Sequence, residues 1–346
     1  MRFICGQALP QAMLSAYAIA DSCLVEHPAD VADLVLKKAV WLDMVAPTAA
    51  EEARVESLLR LDIPTRGELA EIEASSRLYQ DDGATVMTAN LIRRGDDDRP
   101  ESSPVTFIVK GHQLITIRYH HPQAFPQYVK QAMRHANGSD PWSIFISLVE
   151  AVVDRAADHL ERVGTIVEET SKQVFATSFL RKADPKRRKR KPKNLEAMLG
   201  KVGEEGDFTS KMRESLVSLT RMIAFAQAVV DNQTNTKLKR EALARIKILH
   251  RDINSLTDHA GFLNGKISFL LDAVLGMISI EQNNIIKIFT VASVAFLPPT
   301  LIASIYGMNF KIIPELQWDF GYIYAIILMV ASALLPIYYF RRKGWF

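Results

Sequence analysis

Residues 288–306, IFTVASVAFLPPTLIASIY, contain no charged side chain over a length that matches a membrane span. A second stretch of this kind, FGYIYAIILMVASALLPIYYF at residues 320–340, follows after a short loop. A helix of about 20 apolar residues crosses a hydrocarbon core about 30 Å thick. We therefore predict two transmembrane helices near the C-terminal end of the chain.

The charges that flank these spans predict their orientation. The loop at 307–319 has no excess of basic residues, whereas the tail at 341–346 has three. Basic residues close to a span remain on the cytoplasmic side. We therefore expect both termini in the cytoplasm and the loop on the outer side. The three basic residues of the tail are Arg341, Arg342 and Lys343.

The whole-chain composition hides this contrast. The net charge is +3 and charged residues make up 23% of the chain, as in an ordinary water-soluble protein. The charged residues are concentrated before residue 288. The two cysteines, Cys5 and Cys23, lack the spacing of a zinc site or a disulfide framework. The part of the chain before the spans is therefore predicted to face a reducing cytosol.

A long helix precedes the first span. From about residue 236, apolar residues recur every three or four positions, a spacing that indicates one helix packed against others. No proline interrupts the series before Pro298. We predict a stalk helix at 236–287 that continues as the first span. The series comprises Ile246, Leu249, Ile253, Leu256, Ala260, Leu263, Ile267, Leu270, Val274 and Met277.

Along the first span the same three-four series becomes mostly small or hydroxylic. Two interpretations stay open: close packing of helices through small residues, or the wall of a water-filled pore. Two helices cannot enclose a pore, so the second interpretation requires several copies of the chain. Pro298 and Pro299 remove two backbone donors and predict a kink or a local widening. The series comprises Asn283, Ile286, Thr290, Ser293, Leu297, Thr300, Ser304 and Gly307.

Residues 39–140 alternate strand and helix signals and predict a small α/β domain, preceded by an N-terminal segment at 1–38. Two strand pairs are expected, each joined by a glycine-containing turn. The first pairs residues 77–80 with 84–92, and the second pairs 105–109 with 113–119.

Two helices are expected in the same domain. Thr48 with Glu51 is a capping box for a helix that ends at Leu59. Thr65 with Glu68 begins a second helix, over residues 66–76.

Residues 141–235 predict two antiparallel helices, at 142–175 and 209–232. The run RKADPKRRKRKPK at 181–193 lies between them and carries nine basic residues against one aspartate. Two interpretations stay open: a solvated loop, or a contact with anionic lipid headgroups. No aromatic residue interleaves with the basic ones, so a nucleic-acid partner is not expected.

Several motifs together resemble the CorA family of magnesium transporters, in its proteobacterial branch. The segment EQNNIIKIFTVASVAFLPPTLIASIYGMNF (Glu281–Phe310) is similar to that branch's first span. The GMN triplet lies between two C-terminal spans, and the loop contains PEL at Pro314–Leu316. AVWLDMVAP, GELAEIEASSRLYQDD and VTFIVKGHQLITIR resemble its cytosolic domain. The resemblance covers most of the chain from about residue 39.

The resemblance implies a funnel-shaped homopentamer in a bacterial inner membrane, with the first span lining the pore and the second forming an outer ring. It implies that Gly307, Met308 and Asn309 form the selectivity filter and that Glu315 helps to gather cations. The tail Arg341, Arg342 and Lys343 would be a basic collar at the inner mouth. The implied pore-lining residues are Asn283, Ile286, Phe289, Leu297, Thr300 and Ser304.

The resemblance also implies the transported ion and its feedback. Hydrated Mg²⁺ would move inward, driven by the membrane potential, and Co²⁺ or Ni²⁺ would pass the same asparagine ring. Cytosolic Mg²⁺ would bind between subunits at carboxylates and favour the closed state. No regulatory site is assigned, and the candidates are Asp154, Asp158, Glu161, Asp252 and Asp258.

Two alternatives remain beside this hypothesis. Zinc transporters of the ZntB type share the GMN triplet, but zinc prefers nitrogen and sulfur ligands, and residues 260–346 contain no His or Cys. A membrane-anchored scaffold or sensor would leave the polar series unexplained. No catalytic constellation is present, so an enzyme is not predicted. GFLNGKIS at 261–268 has the wrong spacing for a nucleotide loop.

Overall fold

The computed structural model of the protein divides into two compact units, residues 1–271 and 272–346. The first unit contains the α/β region and most of the helical region, and the second contains the end of the longest helix and the C-terminal helix. The structure describes residues 13–21, 23–27, 32–69, 73, 77–94, 100–136, 138–183, 195–233, 236–309 and 314–343.

The α/β region contains seven strands: β1 (Met13–Ala20), β2 (Cys23–His27), β3 (Trp41–Val45), β4 (Leu78–Asp81), β5 (Ala84–Arg94), β6 (Pro100–Lys110) and β7 (Gln113–Arg118). They form one mixed sheet in the order β2-β1-β3-β7-β6-β5-β4. Every neighbouring pair is antiparallel except β3 with β7, which run parallel. A parallel pair needs a crossover connection, and β4 to β6 lie within that connection.

Both predicted hairpins are confirmed. Asp82 (φ 41°) and Gly83 (φ 73°) turn the chain between β4 and β5 in left-handed conformations, as the favoured two-residue hairpin turn requires. Gly111 (φ 59°) turns it between β6 and β7. β5 and β6 are longer than predicted, and their pairing extends to Arg94 opposite Pro100.

Among the described residues, short helices accompany the sheet: α1 (Asp33–Lys38), α2 (Ala49–Leu59), α3 (Arg66–Leu69) and α4 (Ala124–Ala132). The predicted capping box of α2 is confirmed, since the Glu51 amide donates to Thr48 Oγ1 at 3.3 Å and the Thr48 amide donates to Glu51 Oε2 at 2.8 Å. Thr65 and Glu68 repeat this exchange at the start of α3. The helix was predicted to continue to Ser76, and this is wrong: α3 is described to Leu69, and Glu73 is not helical.

The sheet buries apolar side chains on both faces, because alternate residues of a strand point to opposite sides. Phe107 of β6 belongs to the core that contains the long helices, and Ile108, the next residue, belongs to a second core with α1, α2 and α3. Leu114 and Ile115 of β7 divide in the same way. The sheet is therefore the middle layer of the first unit.

Three long helices follow the sheet in sequence: α5 (Pro141–Ala183), α6 (Leu195–Asp231) and α7 (Thr236–Tyr306). α5 confirms the helix predicted at 142–175, and α6 begins well before the predicted residue 209. Leu160, Leu216 and Ile253, one from each helix, are fully buried in one core. Residues 184–194 are outside the described part of the chain, and so is most of the basic run at 181–193.

The predicted boundary at residue 39 is wrong. β1 and β2 come from the segment before it, and β1 lies inside the sheet between β2 and β3, where Tyr17 pairs with Trp41. The sequence MLSAYAIA of β1 alternates small and large residues weakly, so its pairing depends on partners that are distant in the chain. Residues 140 and 235 do not separate compact units either, because the first unit extends to residue 271.

Candidate functional site

Helix α7 runs for 71 residues without a break, as predicted for a stalk that continues into the first span. In the first unit, one face of α7 packs into the main core with α5 and α6. The buried residues of that face are Ile246, Leu249, Ile253, Ala260, Leu263, Ile267 and Leu270. The predicted three-four periodicity is therefore the packing face of the helix.

The predicted pore-lining residues lie on one face of the later part of α7. At about 100° per residue, positions 283 to 304 of this set fall within about 120° of the helix circumference. Large apolar members of the set are exposed in the single chain: Ile286 by 60%, Phe289 by 68% and Leu297 by 67%. Asn283, Thr300 and Ser304 are also exposed. One chain thus presents these side chains outward without burying them.

Two hydroxyl groups of this segment donate to the helix backbone. Thr290 Oγ1 donates to the Ile286 carbonyl at 2.8 Å, and Thr300 Oγ1 donates to the Phe296 carbonyl at 2.7 Å. This geometry satisfies the hydroxyl proton and leaves the hydroxyl oxygen as an acceptor. Such an oxygen accepts a hydrogen bond from water, including water held by a cation.

Pro298 and Pro299 lie inside α7, and the helix continues through them to Tyr306. Neither proline has an amide proton, so the carbonyl groups four residues earlier, at Val294 and Ala295, receive no helical hydrogen bond from them. The helix thus continues past two missing backbone donors, and the kink or local widening stays a prediction.

The GMN triplet follows the end of α7. The Gly307 amide donates to the Ala303 carbonyl at 2.9 Å, and the Met308 amide donates to the Ile305 carbonyl at 3.3 Å. A Cβ atom on Gly307 would lie 3.1 Å from the Ala303 oxygen, so the turn leaves little space for a side chain. Asn309 is exposed and makes no side-chain hydrogen bond to another residue in the described part of the chain. Its amide is therefore available to a ligand.

The loop after the triplet is described from Pro314 onward. Pro314–Gln317 form a 3-10 helix that contains the half-buried Glu315. A Cβ atom on Gly321 would lie 2.0 Å from the Glu315 carbonyl oxygen, so the approach of the loop to the next helix requires glycine. The expected role of Glu315 in gathering cations stays a prediction.

Helix α8 (Gly321–Arg342) completes the chain as described. α7 and α8 are long and apolar enough to cross a membrane, and only 6% of each apolar stretch is buried. The basic residues Arg341, Arg342 and Lys343 are exposed at the end of α8. Lys343 Nζ lies 5.8 Å from the centre of the Tyr339 ring, a cation–π contact typical of a membrane interface.

Two of the five candidate regulatory carboxylates, Asp158 and Asp252, are close enough to influence a third, Asp154. Burial raises the pKa of Asp154, and the charges of Glu150, Asp158 and Asp252 raise it further. The sequence analysis missed Glu150, although its spacing of four residues from Asp154 places both on one face of α5. In the described part of the chain, no group of three or more such residues has the geometry to hold a metal ion.

The cluster is next to a contact between α5 and α7. Arg245 Nε of α7 donates to Glu150 Oε1 at 3.0 Å, and Arg245 also donates to Ser147. Further along both helices, Lys266 Nζ donates to Glu168 Oε2 at 2.6 Å. Residue numbers rise together in the two contacts, so α5 and α7 run in the same direction.

A folded α/β region is thus followed by a long helix with an exposed apolar end, a short loop and a second apolar helix, an arrangement that characterises membrane proteins with C-terminal apolar helices. A family model described as "CorA-like Mg2+ transporter protein" matches residues 37–342. The chain belongs to this family of transporters, which are not enzymes.

Curated relatives are similar over almost the whole chain. "Magnesium transport protein CorA" from Yersinia pseudotuberculosis serotype I (strain IP32953) is 34% identical over 334 residues, which cover 96% of this chain and 100% of the relative. The proteins of the same name from Escherichia coli (strain K12) and Haemophilus influenzae are 34% and 33% identical over the same shares.

Solved structures support the fold at lower identity. The complete CorA magnesium transporter from Methanocaldococcus jannaschii has a TM-score of 0.69 at 17% identity, covering 97% of this chain and 98% of its own. The full-length CmaX protein has a TM-score of 0.61 at 14% identity, covering 98% and 100%. The ZntB cytoplasmic domain from Vibrio parahaemolyticus RIMD 2210633 has a TM-score of 0.55 at 10% identity, covering 78% and 98%.

Proposed function

We propose that this protein carries hydrated Mg²⁺ into the cell through a pore formed by several copies of the chain. The observation that carries the proposal is the exposed face of α7 that bears Asn283, Thr300 and Ser304, which is followed just after the helix by the exposed amide of Asn309. The names of the curated relatives support magnesium as the cargo. Family membership supports transport as the activity.

The pore is a homopentamer in this proposal, with α7 on the inside and α8 on the outside. One chain supplies only two spans, which cannot enclose water. Large apolar side chains on the cytosolic part of α7 support the association of several copies, because Phe262 is 64% exposed and Phe269 is 59% exposed in the single chain. Exposed apolar groups of this size mark contact surfaces.

Asn309 would bind the ion through its water shell. Magnesium gives up its waters reluctantly and prefers oxygen ligands. The side-chain carbonyl of Asn309 accepts a hydrogen bond from such a water and carries no net charge that would trap the cation, and conduction requires sites that release the ion. Gly307 and Met308 shape the turn that presents this carbonyl. The acceptor oxygen of Thr300 and the Ser304 hydroxyl continue the hydrated path.

Ile286, Phe289 and Leu297 would be the gate. A ring of apolar side chains closes a narrow pore when water leaves it. All three side chains lie on the face of α7 that also carries Asn283 and Thr300. Rotation or displacement of α7 in each subunit would therefore widen or close these rings together.

The membrane potential supplies the driving force. Moving one charge through about 100 mV yields about 2.3 kcal/mol, so a divalent ion gains about 4.6 kcal/mol. This energy corresponds to an accumulation of about two thousand-fold at equilibrium. Nucleotide hydrolysis is therefore not required.

The proposed orientation has both termini in the cytoplasm of a bacterial cell and the chain in the inner membrane. The spans are residues 288–306 and 320–340, and the loop at 307–319 faces outward with Glu315, which attracts cations. Arg341, Arg342 and Lys343 form a basic collar at the inner mouth, as the positive-inside rule requires. The basic run at 181–193 contacts anionic lipid headgroups in this proposal.

Cytosolic Mg²⁺ would close the pore through carboxylates on α5 and α7. The raised pKa of Asp154 supports this part, because a site that disfavours its own negative charge gains from a cation. A single chain lacks a complete metal site among its described residues, so the partner ligands would come from a neighbouring subunit. Asp158 and Asp252 belong to the same cluster, whereas Glu161 and Asp258 remain candidates only.

Co²⁺ and Ni²⁺ would share the path, since an outer-sphere ring recognises the water shell. The alternative is zinc transport of the ZntB type, and it stays open because the fold is similar to that of a ZntB cytoplasmic domain. The absence of His and Cys from residues 260–346 favours magnesium.

The test is ion uptake by proteoliposomes with an imposed inside-negative potential. Asn309→Ala is expected to reduce Mg²⁺ uptake at least about tenfold, since each chain loses its filter amide. Asn284→Ala is the matched control, because residue 284 lies outside the face of α7 that carries Asn283, Thr300 and Ser304. Unchanged uptake in Asn309→Ala would contradict the asparagine ring. Uptake of Zn²⁺ without Mg²⁺ would establish the alternative.

A further inference from the structure

A cleft of about 420 Å³ lies in the first unit, and neither the fold nor the transport proposal uses it. Its walls come from β5, α6 and α7, together with Arg77 just before β4. Sites for small molecules in proteins have volumes of about 300–1,000 Å³. The cleft is therefore large enough for a small ligand.

Three arginines and one carboxylate line the cleft: Arg77, Arg213 and Arg221 against Glu214. The local balance is thus two positive charges. Neither Arg213 nor Arg221 forms an ion pair with a carboxylate elsewhere in the described chain. The two α6 guanidinium groups therefore have no carboxylate partner among the described residues.

Arg77 and Arg221 are close enough to repel each other. Burial lowers the pKa of the Arg77 guanidinium, and the charge of Arg221 lowers it further. Arg77 also donates to Asn90 Oδ1 at 3.5 Å, so its side chain is oriented by the sheet. A bound anion would relieve the repulsion between the two guanidinium groups.

Helix α6 contributes one continuous face to the cleft. Ser210, Arg213, Glu214, Ser218 and Arg221 follow one another at spacings of one, three and four residues, which keeps them on the same side of a helix. The whole set lies in the part of α6 that packs on β5, since the Ser215 hydroxyl donates to the Asn90 carbonyl at 2.6 Å. Arg213 and Arg221 therefore project from a helix that is anchored on the sheet, beside Arg77.

Two serine hydroxyls add neutral donors. Ser218 Oγ accepts a hydrogen bond from the backbone amide of Asn90 at 2.9 Å. The hydroxyl proton of Ser218 therefore points away from that bond and is available to a ligand. Ser210 Oγ accepts from Asn264 Nδ2 of α7 at 3.4 Å and likewise retains its proton. Guanidinium groups with nearby hydroxyls are the donors that proteins use for phosphate oxygens.

We propose that this cleft binds a small anion through a phosphoryl group, held by Arg77, Arg213 and Arg221. The source is either inorganic phosphate or a phosphorylated metabolite. Phosphate fits better than a simple carboxylate because it offers three or four oxygens to several forked donors at once. Binding does not depend on the transport proposal, since every lining residue belongs to the first unit.

The test uses the full-length protein in detergent, in buffer freed of divalent cations on a chelating resin. Calorimetric titration compares inorganic phosphate, pyrophosphate, ATP and citrate. Saturable binding of at least one of the three phosphate compounds is expected, and the tightest of them identifies the source. The absence of saturable binding by all three, or equal affinity for citrate, would overturn the proposal.

Variants then test the location. Arg213→Gln and Arg221→Gln are each expected to weaken binding about tenfold or more, as the loss of a charged hydrogen bond predicts. Arg162→Gln, at an exposed position of α5, is the matched control and should bind like wild type. Glu214→Gln should instead tighten binding, because it removes the negative charge of an exposed side chain in the cleft. Unaltered affinity in all three cleft variants would contradict the site.

Discussion

Asp43 and Arg118 form a buried ion pair across the parallel strands β3 and β7. Arg118 Nη2 lies 2.7 Å from Asp43 Oδ2, Arg118 Nε lies 3.1 Å from Asp43 Oδ1, and the two side chains are 6% and 5% exposed. Thr116 Oγ1 also donates to Asp43 Oδ1, and the Trp41 indole donates to Thr116. The network ties together the parallel strand pair of the sheet, whose connection runs through β4, β5 and β6.

Asp43→Ala is expected to destabilise the first unit by about 3–5 kcal/mol, because it leaves the guanidinium of Arg118 buried without its partner. The midpoint of thermal unfolding in detergent is the measurement. Asp33→Ala is the matched control, since the Asp33–Arg54 pair is exposed by 59% and 36%, and exposed pairs contribute about 0–1 kcal/mol. Equal losses in the two variants would contradict the structural role of the buried pair.

Glu168 predicts a pH dependence of the contact between α5 and α7. Its hydrogen bond to Lys266 and the charge of Lys266 lower the pKa of Glu168 from 4.5. Folding therefore favours the ionised form. The stabilisation is present above pH 4.5 and is lost as the pH falls through the lowered pKa of the folded state.

Glu168→Gln should lower the unfolding temperature at neutral pH and have little effect well below pH 4.5. Glu169→Gln, at the neighbouring exposed position, should change neither value. Unfolding temperatures measured across this pH range in detergent provide the check. A decrease in unfolding temperature by Glu168→Gln that becomes larger at acidic pH would contradict the prediction.

For Asp154 we predict that removing the charge raises the stability at neutral pH, in contrast to Glu168. Its pKa is raised, so the folded protein disfavours its ionised form. Without divalent cations at neutral pH, Asp154→Asn should raise the unfolding temperature. Added Mg²⁺ should stabilise the wild type more than the variant if the cluster binds the cation. Glu241→Gln serves as the control, and a lower unfolding temperature for Asp154→Asn without Mg²⁺ would refute the prediction.

Gly321→Ala should disrupt the loop that follows the GMN triplet. Its Cβ atom would lie 2.0 Å from the Glu315 carbonyl oxygen, so the loop must move. We expect a large decrease in Mg²⁺ uptake by proteoliposomes. Gly200→Ala in α6 meets no atom within 4 Å, and it should leave uptake unchanged and stabilise the helix by up to about 1 kcal/mol. Normal uptake in Gly321→Ala would mean that the approach of the loop to α8 is dispensable.

Thr300→Val should reduce Mg²⁺ uptake several-fold without a loss of stability, because it keeps the branched shape and removes the acceptor oxygen. Thr257→Val is a close control: Thr257 Oγ1 donates to the Ile253 carbonyl at 2.8 Å, in the same way as Thr300 donates to Phe296, but in the first unit. The measurement is Mg²⁺ uptake by proteoliposomes that contain equal amounts of the two variants. Equal uptake in the two would remove Thr300 from the proposed path.

The candidate site was accessible to sequence reasoning because nearly all of it lies on one helix and the loop after it. A regular helix assigns each residue to a face by its number alone. Asn283 and Thr300 could therefore be assigned to one face in advance, whereas Asn309, which follows the helix, was predicted from the family resemblance. The cluster around Asp154 was only partly accessible, since Asp252 joins it from α7 through packing that spacing cannot predict.

The elements that could be predicted from sequence are those whose signals lie within a few residues: the two apolar helical segments, the unbroken α7, the capping box at Thr48 and the hairpin turns. Hydrogen bonds and periodicity over one or two turns encode these features. Four features became apparent only in the folded structure: the insertion of β1 into the sheet, the parallel pairing of β3 with β7, the Asp43–Arg118 pair and the arginine-lined cleft. Each of these joins residues far apart in the chain, and their pairing depends on the summed burial and hydrogen bonding of the whole fold.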